Sequence, residues 1–384
     1  MTSVLTPQSI DQLLPSYSGF DAIGNHVTLI KELLEERGFK SDIYAEQWNG
    51  TAPHPCTLYK KYPHDAPKDR VVIYHHSVAS GISRWLYSKP VFTVLSYHNI
   101  TPYPYFHEPY DYEAFIACSR GRSQMTYLRN ITDMTWSVSS YNQIELKELA
   151  FSEPHLLFPV LRHYDRLVSE PRNTEIISKL KQRSTLLFVG RVSPHKSHID
   201  MIYYLSVLKR DFVKDLRIVF VGGGHPKLFD RLDAKAKELG LVTSRGLKGD
   251  WGSADVVFAE QVNDSELASF YEGSKMFLCL SEHEGFCVPL VEAMNFGIPI
   301  VAHDAAAIPE TLGDGGLLID KFDFDSSIKK IGEVLTSPKL LEQLASASTA
   351  RAKDFSWKVC TGSFDLALEQ TLNSYHDWRQ STSS

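Results

Sequence analysis

The sequence lacks the features that would tie it to a disulfide framework, a zinc knuckle or a membrane span. Its five cysteines are scattered over 384 residues, and none of them forms a Cys-x-x-Cys pair. No apolar run approaches the roughly 20 residues that cross a bilayer. The N-terminus has no basic flank followed by a long apolar core, so we expect no signal peptide. These absences predict a cytoplasmic protein.

A strong excess of one charge is also missing. The chain carries 40 Lys and Arg against 46 Asp and Glu, which gives a formal net charge of -6. Nucleic-acid-binding domains usually concentrate basic residues on one face or along one helix. We therefore expect no nucleic-acid partner.

Several enzyme signatures are absent as well. There is no Gly-x-x-x-x-Gly-Lys-Ser/Thr loop and no Gly-x-Ser-x-Gly elbow, which excludes P-loop NTPases and the usual α/β-hydrolases. The run Gly222-Gly-Gly224 is not Gly-x-Gly-x-x-Gly, so a nicotinamide dehydrogenase is a poor fit. No His-Glu-x-x-His spacing is present, and we predict no metal site.

What the sequence does contain is an alternation of short β-branched apolar runs with amphipathic helical patterns. Near-continuous apolar strands separated by helices predict parallel sheets covered on both faces, and therefore an α/β fold. At 384 residues the chain is longer than one core usually grows. Two Rossmann-like domains are predicted, joined near residues 157–173. The predicted strands cover residues 42–45, 70–74, 91–95, 135–138, 185–189, 217–221, 256–258, 276–280 and 299–302.

The first informative motif follows the strand predicted at 185–189. That strand ends at Gly190, and Arg191 and Lys196 then come from the loop before the next helix. Two cations beside a helix N-terminus suit a diphosphate, because the free N–H groups add to their field. The alternative is that both are solvated surface charges.

The second motif follows the strand predicted at 276–280. Glu284 begins a turn, and a helix is predicted to start near Pro289, since proline suits the first helical turn. Glu292 would lie about one turn into that helix, where its carboxylate can bind a ribose diol. The alternative is that both carboxylates only cap or salt-bridge the helix. Backbone N–H groups of the turn are candidates for phosphate binding, at Gly285, Phe286, Cys287 and Val288.

Weaker signals lie in the first half of the chain. Gly24 is placed in a loop before a helix at 25–37, where glycine would allow close approach to an anionic ligand. His98 follows the strand predicted at 91–95, and His75-His76 follow the strand at 70–74; structural histidines are the alternative. Residues 119–129 mix arginines with apolar residues, as a helix on anionic lipid does, although a solvated helix face fits equally well.

These motifs resemble the retaining glycosyltransferases of the GT-B fold, family 4, especially members that assemble polysaccharides. The match rests on Gly190-Arg191 with Lys196 and on the stretch 284–294, which reads Glu-Gly-Phe-Cys-Val-Pro-Leu-Val-Glu-Ala-Met. A looser match in the first half involves Gly24 and residues 97–102. Two positions depart from the pattern, because Ser197 and Cys287 stand where the family commonly has glycine.

The resemblance implies transfer of a hexose-type sugar from a nucleotide diphosphate sugar, with retention at the anomeric carbon and without a metal or other cofactor. Arg191 and Lys196 would stabilise the leaving diphosphate, and Glu284 the sugar hydroxyls. Glu292 would bind the ribose and Val262 the base. His98 would position the donor sugar or the acceptor. The acceptor would be a glycan or a lipid-linked sugar, in cell-surface polysaccharide or glycolipid synthesis.

The resemblance also implies the roles of the domains. Residues 1–165 would form an acceptor-binding Rossmann-like domain, residues 166–358 the nucleotide-sugar domain, and residues 359–384 a helix crossing back to the first domain. Two alternatives stay open at this stage. The chain could glycosylate a small soluble acceptor, or it could be an inactive nucleotide-sugar-binding relative.

Overall fold

The computed structural model describes residues 5–19, 21–63, 67–107, 111–157 and 163–383. The chain divides into two compact units. Unit 1 contains residues 1–162 and 357–384, and unit 2 contains residues 163–356. Each unit is built on one seven-stranded sheet in which every paired strand is parallel.

The sheet of unit 1 has the strand order β3-β2-β1-β4-β5-β6-β7, so β1 and β4 are the two strands from which the chain runs outward in opposite directions. Its strands are β1 (Ser9–Tyr17), β2 (Ile43–Trp48), β3 (Cys56–Leu58), β4 (Arg70–His76), β5 (Phe92–Tyr97), β6 (Met134–Ser137) and β7 (His155–Leu156). Its helices are α1 (Ala22–Glu36), α2 (Gly81–Leu86), α3 (Tyr112–Leu128), α4 (Ser140–Glu148) and, from the C-terminus, α14 (Trp357–Ser383).

Both faces of this sheet are buried. Val71 and Ile73 pack into one apolar cluster, whereas Val72 and Tyr74 pack into another, because successive side chains of a strand point to opposite faces. Helix α14 completes the first cluster with buried side chains that include Phe364. The C-terminal helix is therefore part of the core of unit 1.

The sheet of unit 2 has the order β10-β11-β9-β8-β12-β13-β14. Its strands are β8 (Ser184–Val189), β9 (Leu216–Val221), β10 (Thr243–Arg245), β11 (Val256–Glu260), β12 (Met276–Cys279), β13 (Ile300–His303) and β14 (Leu317–Ile319). Its helices are α5 (His163–Ser169), α6 (Thr174–Lys181), α7 (His198–Asp211), α8 (Pro226–Glu238), α9 (Asp264–Gly273), α10 (Val288–Asn295), α11 (Ile308–Leu312), α12 (Phe324–Thr336) and α13 (Pro338–Ala352).

The α/β prediction with two parallel sheets is confirmed. Two local predictions are wrong. Strand β4 continues to His76, so His75 and His76 lie inside the strand and not after it. Gly24 lies in the first turn of α1 and not in a loop, because Asp21 caps that helix three residues earlier. Among the described residues, no helix has the length and apolar character needed to cross a membrane.

Candidate active site

The two sequence motifs of unit 2 lie at the point where its strand order reverses. Strand β8 is bonded to β9 on one side and to β12 on the other. The chain runs outward from these two central strands in opposite directions, so the loops after β8 and β12 diverge at their carboxyl ends. Open α/β sheets bind ligands at such a position. The site is therefore built from residues 190–197 and 280–287.

The loop after β8 begins with a close backbone approach. A Cβ atom on Gly222, which follows β9, would lie 2.1 Å from the carbonyl oxygen of Gly190. Arg191 comes next and is exposed, and Lys196 ends the 3-10 turn Pro194–Lys196. Ser197 then adopts a left-handed conformation with φ of 56° immediately before α7. The loop thus turns sharply at both of its ends.

The loop after β12 also enters its helix through a left-handed residue. Cys287 has φ of 73° at the N-cap of α10, and Pro289 occupies the first turn of that helix, as predicted. Gly285 and Val288 are partly exposed, whereas the Phe286 ring is buried against Phe355 at 5.5 Å between centroids. Of Phe286, therefore, only the backbone is a candidate for ligand binding.

The two loops are joined to each other at two levels. The amide of Glu282 donates a hydrogen bond of 2.9 Å to the carbonyl oxygen of His195. Further along both loops, the ammonium group of Lys196 donates to Glu284 Oε1. Burial alone would lower the pKa of Lys196, but the Glu284 carboxylate outweighs burial and the pKa is raised. Lys196 therefore stays protonated and holds Glu284 at the switch point.

Glu292 is held by a residue of another helix. Its side chain is buried, and Glu292 Oε2 accepts a hydrogen bond of 2.6 Å from the hydroxyl of Tyr271 on α9. A carboxylate oriented in this way is positioned before any ligand arrives. Val262 lies in the short segment between β11 and α9, the helix that carries Tyr271, and its side chain is half-buried.

Lys321 is a candidate site residue that the sequence analysis missed. Lys321 follows β14 in the chain, and its side chain is 2% exposed. Its Nζ atom lies 2.7 Å from Ser197 Oγ and 2.5 Å from Asp200 Oδ2, and it also donates to Glu282 Oε1. The ammonium group thus links the β8 loop, the first turn of α7 and the β12 loop. Only the folded chain brings these residues together, so no local sequence pattern could have revealed them.

In unit 1, His98 is the end of a hydrogen-bonded chain. Gln12 Nε2 donates to the carbonyl oxygen of Val27 at 2.9 Å, so Gln12 presents its Oε1 atom to His75 Nε2, 3.0 Å away. His75 Nε2 must therefore carry a proton. Burial, together with neighbouring imidazoles, holds the pKa of His75 and of His98 well below the usual value, so both rings are neutral.

The tautomer of His98 follows from this chain. A neutral His75 protonated at Nε2 has a lone pair at Nδ1, which lies 2.9 Å from His98 Nε2. His98 Nε2–H is therefore the donor in this bond, and His98 Nδ1 carries the lone pair. His98 can then accept a hydrogen bond from a hydroxyl group. The sequence analysis named His98 but missed the roles of Gln12 and His75.

Gly24 is required by its own turn. The amide of Gly24 donates a hydrogen bond of 2.8 Å to Asp21 Oδ1. A Cβ atom at this position would lie 1.7 Å from the carbonyl oxygen of Ser18. The absence of a side chain therefore serves packing between α1 and the end of β1. Binding of an anionic ligand at Gly24 stays a prediction.

Arg122 of helix α3 is hydrogen-bonded to other residues of unit 1. The guanidinium group of Arg122 donates to the Ile100 carbonyl oxygen at 2.7 Å and to Glu145 Oε1 at 2.6 Å. Arg120 is exposed. Arg122 therefore has a structural role, and membrane contact through this helix stays a prediction that rests on Arg120 and its neighbours.

Two clusters in the described part of the chain have the donor atoms for a metal ion. In each cluster the ligand atoms all lie within 4.8 Å of one another. The first contains His26, His75 and His98, and in it His75 and His98 are hydrogen-bonded to each other while the His26 ring makes edge contacts with both. The second contains Cys279, Glu284 and Cys287.

Comparison with known proteins connects this geometry to a family. Residues 170–351, which include both loops of the site, match the family model "Glycosyl transferases group 1". These residues resemble a group 1 glycosyltransferase domain. O-antigen chain mannosyltransferase B of Escherichia coli is 28% identical over 189 residues, which is 49% of this chain and 45% of that protein. MMP alpha-(1->4)-mannosyltransferase of Mycolicibacterium hassiacum is 35% identical over 147 residues, or 35% of this chain and 36% of that protein.

A likeness in fold covers most of the chain. Anabaena Alr3699/HepE in complex with UDP-glucose matches 93% of this chain and 99% of its own, with a TM-score of 0.70 and 14% sequence identity. The predicted GT-B fold is confirmed. The sequence matches to the two mannosyltransferases, in contrast, cover less than half of those proteins' lengths.

Proposed function

We propose that the chain is a retaining, metal-independent glycosyltransferase that moves a hexose-type sugar from a nucleotide diphosphate sugar. The observation that carries the proposal is the Lys196–Glu284 pair at the switch point of unit 2. Glu292, on the helix that follows the Glu284 loop, is held by a hydrogen bond from Tyr271. In this proposal Lys196 would face the diphosphate of the donor, Glu284 the sugar and Glu292 the ribose.

Lys196 can serve the donor without leaving Glu284. An ammonium group has three N–H bonds, and the ion pair occupies one of them. The other two are available to the diphosphate, whose negative charge grows as the bond to the sugar breaks. Exposed Arg191 would add a second cation. Fixed cations placed where charge develops lower the barrier without reorganising in the reaction.

The proposed reaction conserves the configuration of the sugar. The bond from the anomeric carbon to the phosphate oxygen breaks while an acceptor hydroxyl forms the new bond on the same face. The proton of that hydroxyl passes to the leaving phosphate oxygen. Glu284 would hold sugar hydroxyls, and His98, with its Nδ1 lone pair, would accept a hydrogen bond from a hydroxyl of the donor sugar or of the acceptor.

We propose GDP-mannose or a UDP-sugar as the donor. Two relatives are mannosyltransferases by name, and the structure of Anabaena Alr3699/HepE contains UDP-glucose. The acceptor would be lipid-linked or an oligosaccharide, since one of these relatives acts on an O-antigen chain by name. The alternatives are a small soluble acceptor and an inactive nucleotide-sugar binder.

A thermal-shift screen of UDP-, GDP-, ADP- and dTDP-sugars tests the donor, because a ligand that binds only the folded state raises its stability. Release of the nucleoside diphosphate upon adding acceptor then separates an enzyme from a binder. Lys196→Ala and Glu284→Ala are each expected to lower turnover by about 100-fold, equivalent to about 3 kcal/mol. Wild-type rates in either variant would refute the site.

A further inference from the structure

The sulfur atoms of two cysteines face the same carboxylate in the β12 loop. Cys279 ends β12 and is fully buried, and Cys287 is the N-cap of α10. Their Sγ atoms and one carboxylate oxygen of Glu284 all lie within 4.8 Å of one another. We propose that Cys279, Glu284 and Cys287 form a binding site for a thiophilic divalent cation such as Zn²⁺, and that its occupancy blocks the donor pocket.

The spacing of the three donor atoms suits a zinc ion. A tetrahedral Zn²⁺ with Zn–S bonds of about 2.3 Å holds two sulfur atoms roughly 3.8 Å apart. Since the two sulfur atoms lie within 4.8 Å of each other, binding requires them to approach by about 1 Å at most. Thiolate ligands also select Zn²⁺ over Mg²⁺ or Mn²⁺, which prefer oxygen ligands.

The charges of the cluster favour a divalent cation. The ammonium group of Lys196 contributes one positive charge, and the carboxylate of Glu284 one negative charge. When both thiols lose their protons, two more negative charges appear, and one divalent cation makes the group neutral. Each bound Zn²⁺ forms two Zn–S bonds and releases two protons to solvent. Glu284 keeps one carboxylate oxygen for Lys196 while the other binds the metal.

The two thiols lie close enough to bind the same ion. Both side chains are buried, and their Sγ atoms lie within 4.8 Å of each other. The thiol of Cys279 donates a hydrogen bond of 3.4 Å to the hydroxyl of Ser281, which is a polar contact beside the cluster.

The backbone supplies a matched test variant. Cys287 has φ of 73°, a conformation that costs an L-residue about 1–2 kcal/mol and glycine very little. Cys287→Gly therefore removes one thiolate while relieving strain at that position, so we expect it to fold. Cys118 provides the control, because it is a buried free cysteine of unit 1 outside the cluster.

The test uses the full chain, stripped of metal and kept reduced with a phosphine. Co²⁺ is titrated while thiolate-to-cobalt charge-transfer absorption is followed in the near ultraviolet, and Zn²⁺ affinity is measured by competition with a chromophoric chelator. The wild type and Cys118→Ala should bind one ion with the absorption of two thiolates. Cys287→Gly should lose about half of that absorption and at least about 100-fold in Zn²⁺ affinity.

The site would be overturned by a lack of thiolate absorption in the wild type, or by equal binding by Cys287→Gly and Cys118→Ala. Binding lost in His75→Gln but kept in Cys287→Gly would assign the ion to the histidine cluster and overturn it as well. The block of the donor pocket rests on the proposed function and is tested separately. Zn²⁺ should slow wild-type turnover, and the ratio of rates with and without Zn²⁺ should move towards one in Cys287→Gly.

These two measurements fail independently. Metal binding is read without any sugar nucleotide, so an enzyme with no detectable transfer still tests the metal site. Conversely, a wild type that binds Zn²⁺ with two thiolates but turns over at an unchanged rate would overturn only the proposed block.

Discussion

Replacing Lys196 with methionine removes the cation that neutralises Glu284 and leaves the length of the side chain almost unchanged. The side chains of Lys196 and Glu284 are 17% and 10% exposed. Breaking a fully buried pair by removing one partner costs about 3–5 kcal/mol. Because this pair keeps some contact with solvent, we expect Lys196→Met to lower the stability of unit 2 by about 2–3 kcal/mol.

The double variant distinguishes a true pair from two independent effects. Glu284→Gln removes the carboxylate charge, so combining it with Lys196→Met leaves no unpaired ion. The double variant should therefore lose less stability than the sum of the single variants, by about 1–3 kcal/mol. Lys235→Met with Glu238→Gln, an exposed pair on α8, is the control and should show a coupling below about 0.5 kcal/mol.

Stability should be read for unit 2 alone, because two units need not unfold together. Hydrogen–deuterium exchange of the β8 and β12 amides as a function of urea provides this reading. The raised pKa of Lys196 adds a pH test: its contribution is complete below the ordinary pKa of 10.5 and is lost as pH rises through the higher folded-state pKa. Losses in the single variants that add up to the loss in the double variant would refute the coupling.

Three further predictions concern other residues. His75→Leu should lower turnover by about tenfold, since it removes one hydrogen bond worth about 1.4 kcal/mol, and should change the protonated nitrogen of His98 in long-range ¹H–¹⁵N spectra; an unchanged tautomer would contradict the relay. Burial lowers the pKa of His198 to about 3, so the folded state resists its protonation while the unfolded state does not. His198 should therefore lower the free energy of unfolding by about 2 kcal/mol between pH 7 and pH 5. His198→Phe keeps a ring against Phe188 and Phe220 and should abolish this part of the pH dependence. The same pH dependence in wild type and variant would contradict the role of His198. Gly24→Ala should destabilise unit 1 by about 3 kcal/mol in urea unfolding, whereas Gly362→Ala, with open space around its Cβ atom, should not; equal effects would refute the packing argument.

The buried strands were predictable because nearly all of their residues are apolar. All nine predicted strands lie on observed strands, within a few residues at each end. Strand β1, a central strand of unit 1, was missed. Asp11, Gln12 and Pro15 interrupt its apolar pattern, although Asp11 and Gln12 are buried and bonded within the fold. Polar residues that are satisfied only by distant partners give no local signal.

The same reason explains what was and was not predicted of the site. Lys196 and Glu284 belong to short motifs after apolar strands, so the ends of those strands located them. Lys321 and Tyr271 act on the site through contacts with Asp200 and Glu292 that are 121 and 21 residues away in sequence. Such supporting residues follow from sheet topology, because parallel strands bring the ends of distant segments to one edge.

The two departures from the family pattern have one structural explanation. Ser197 and Cys287 stand where the resemblance predicts glycine, and they have φ values of 56° and 73°. Glycine adopts this conformation freely, whereas a residue with a Cβ atom is strained there. Each strained residue begins a helix at the switch point, and each has a side chain with a partner in the site.

The partners differ in what they contribute to the site. The hydroxyl of Ser197 accepts a hydrogen bond of 2.7 Å from Lys321, which links it to Glu282 in the other loop. The thiol of Cys287 meets Cys279 beside Glu284. Glycine at either position would relax the backbone and remove that contact. At both positions a side chain that contacts the site accompanies a strained backbone. The contact at Ser197 is structural, and the contact at Cys287 is, in our proposal, metal-binding.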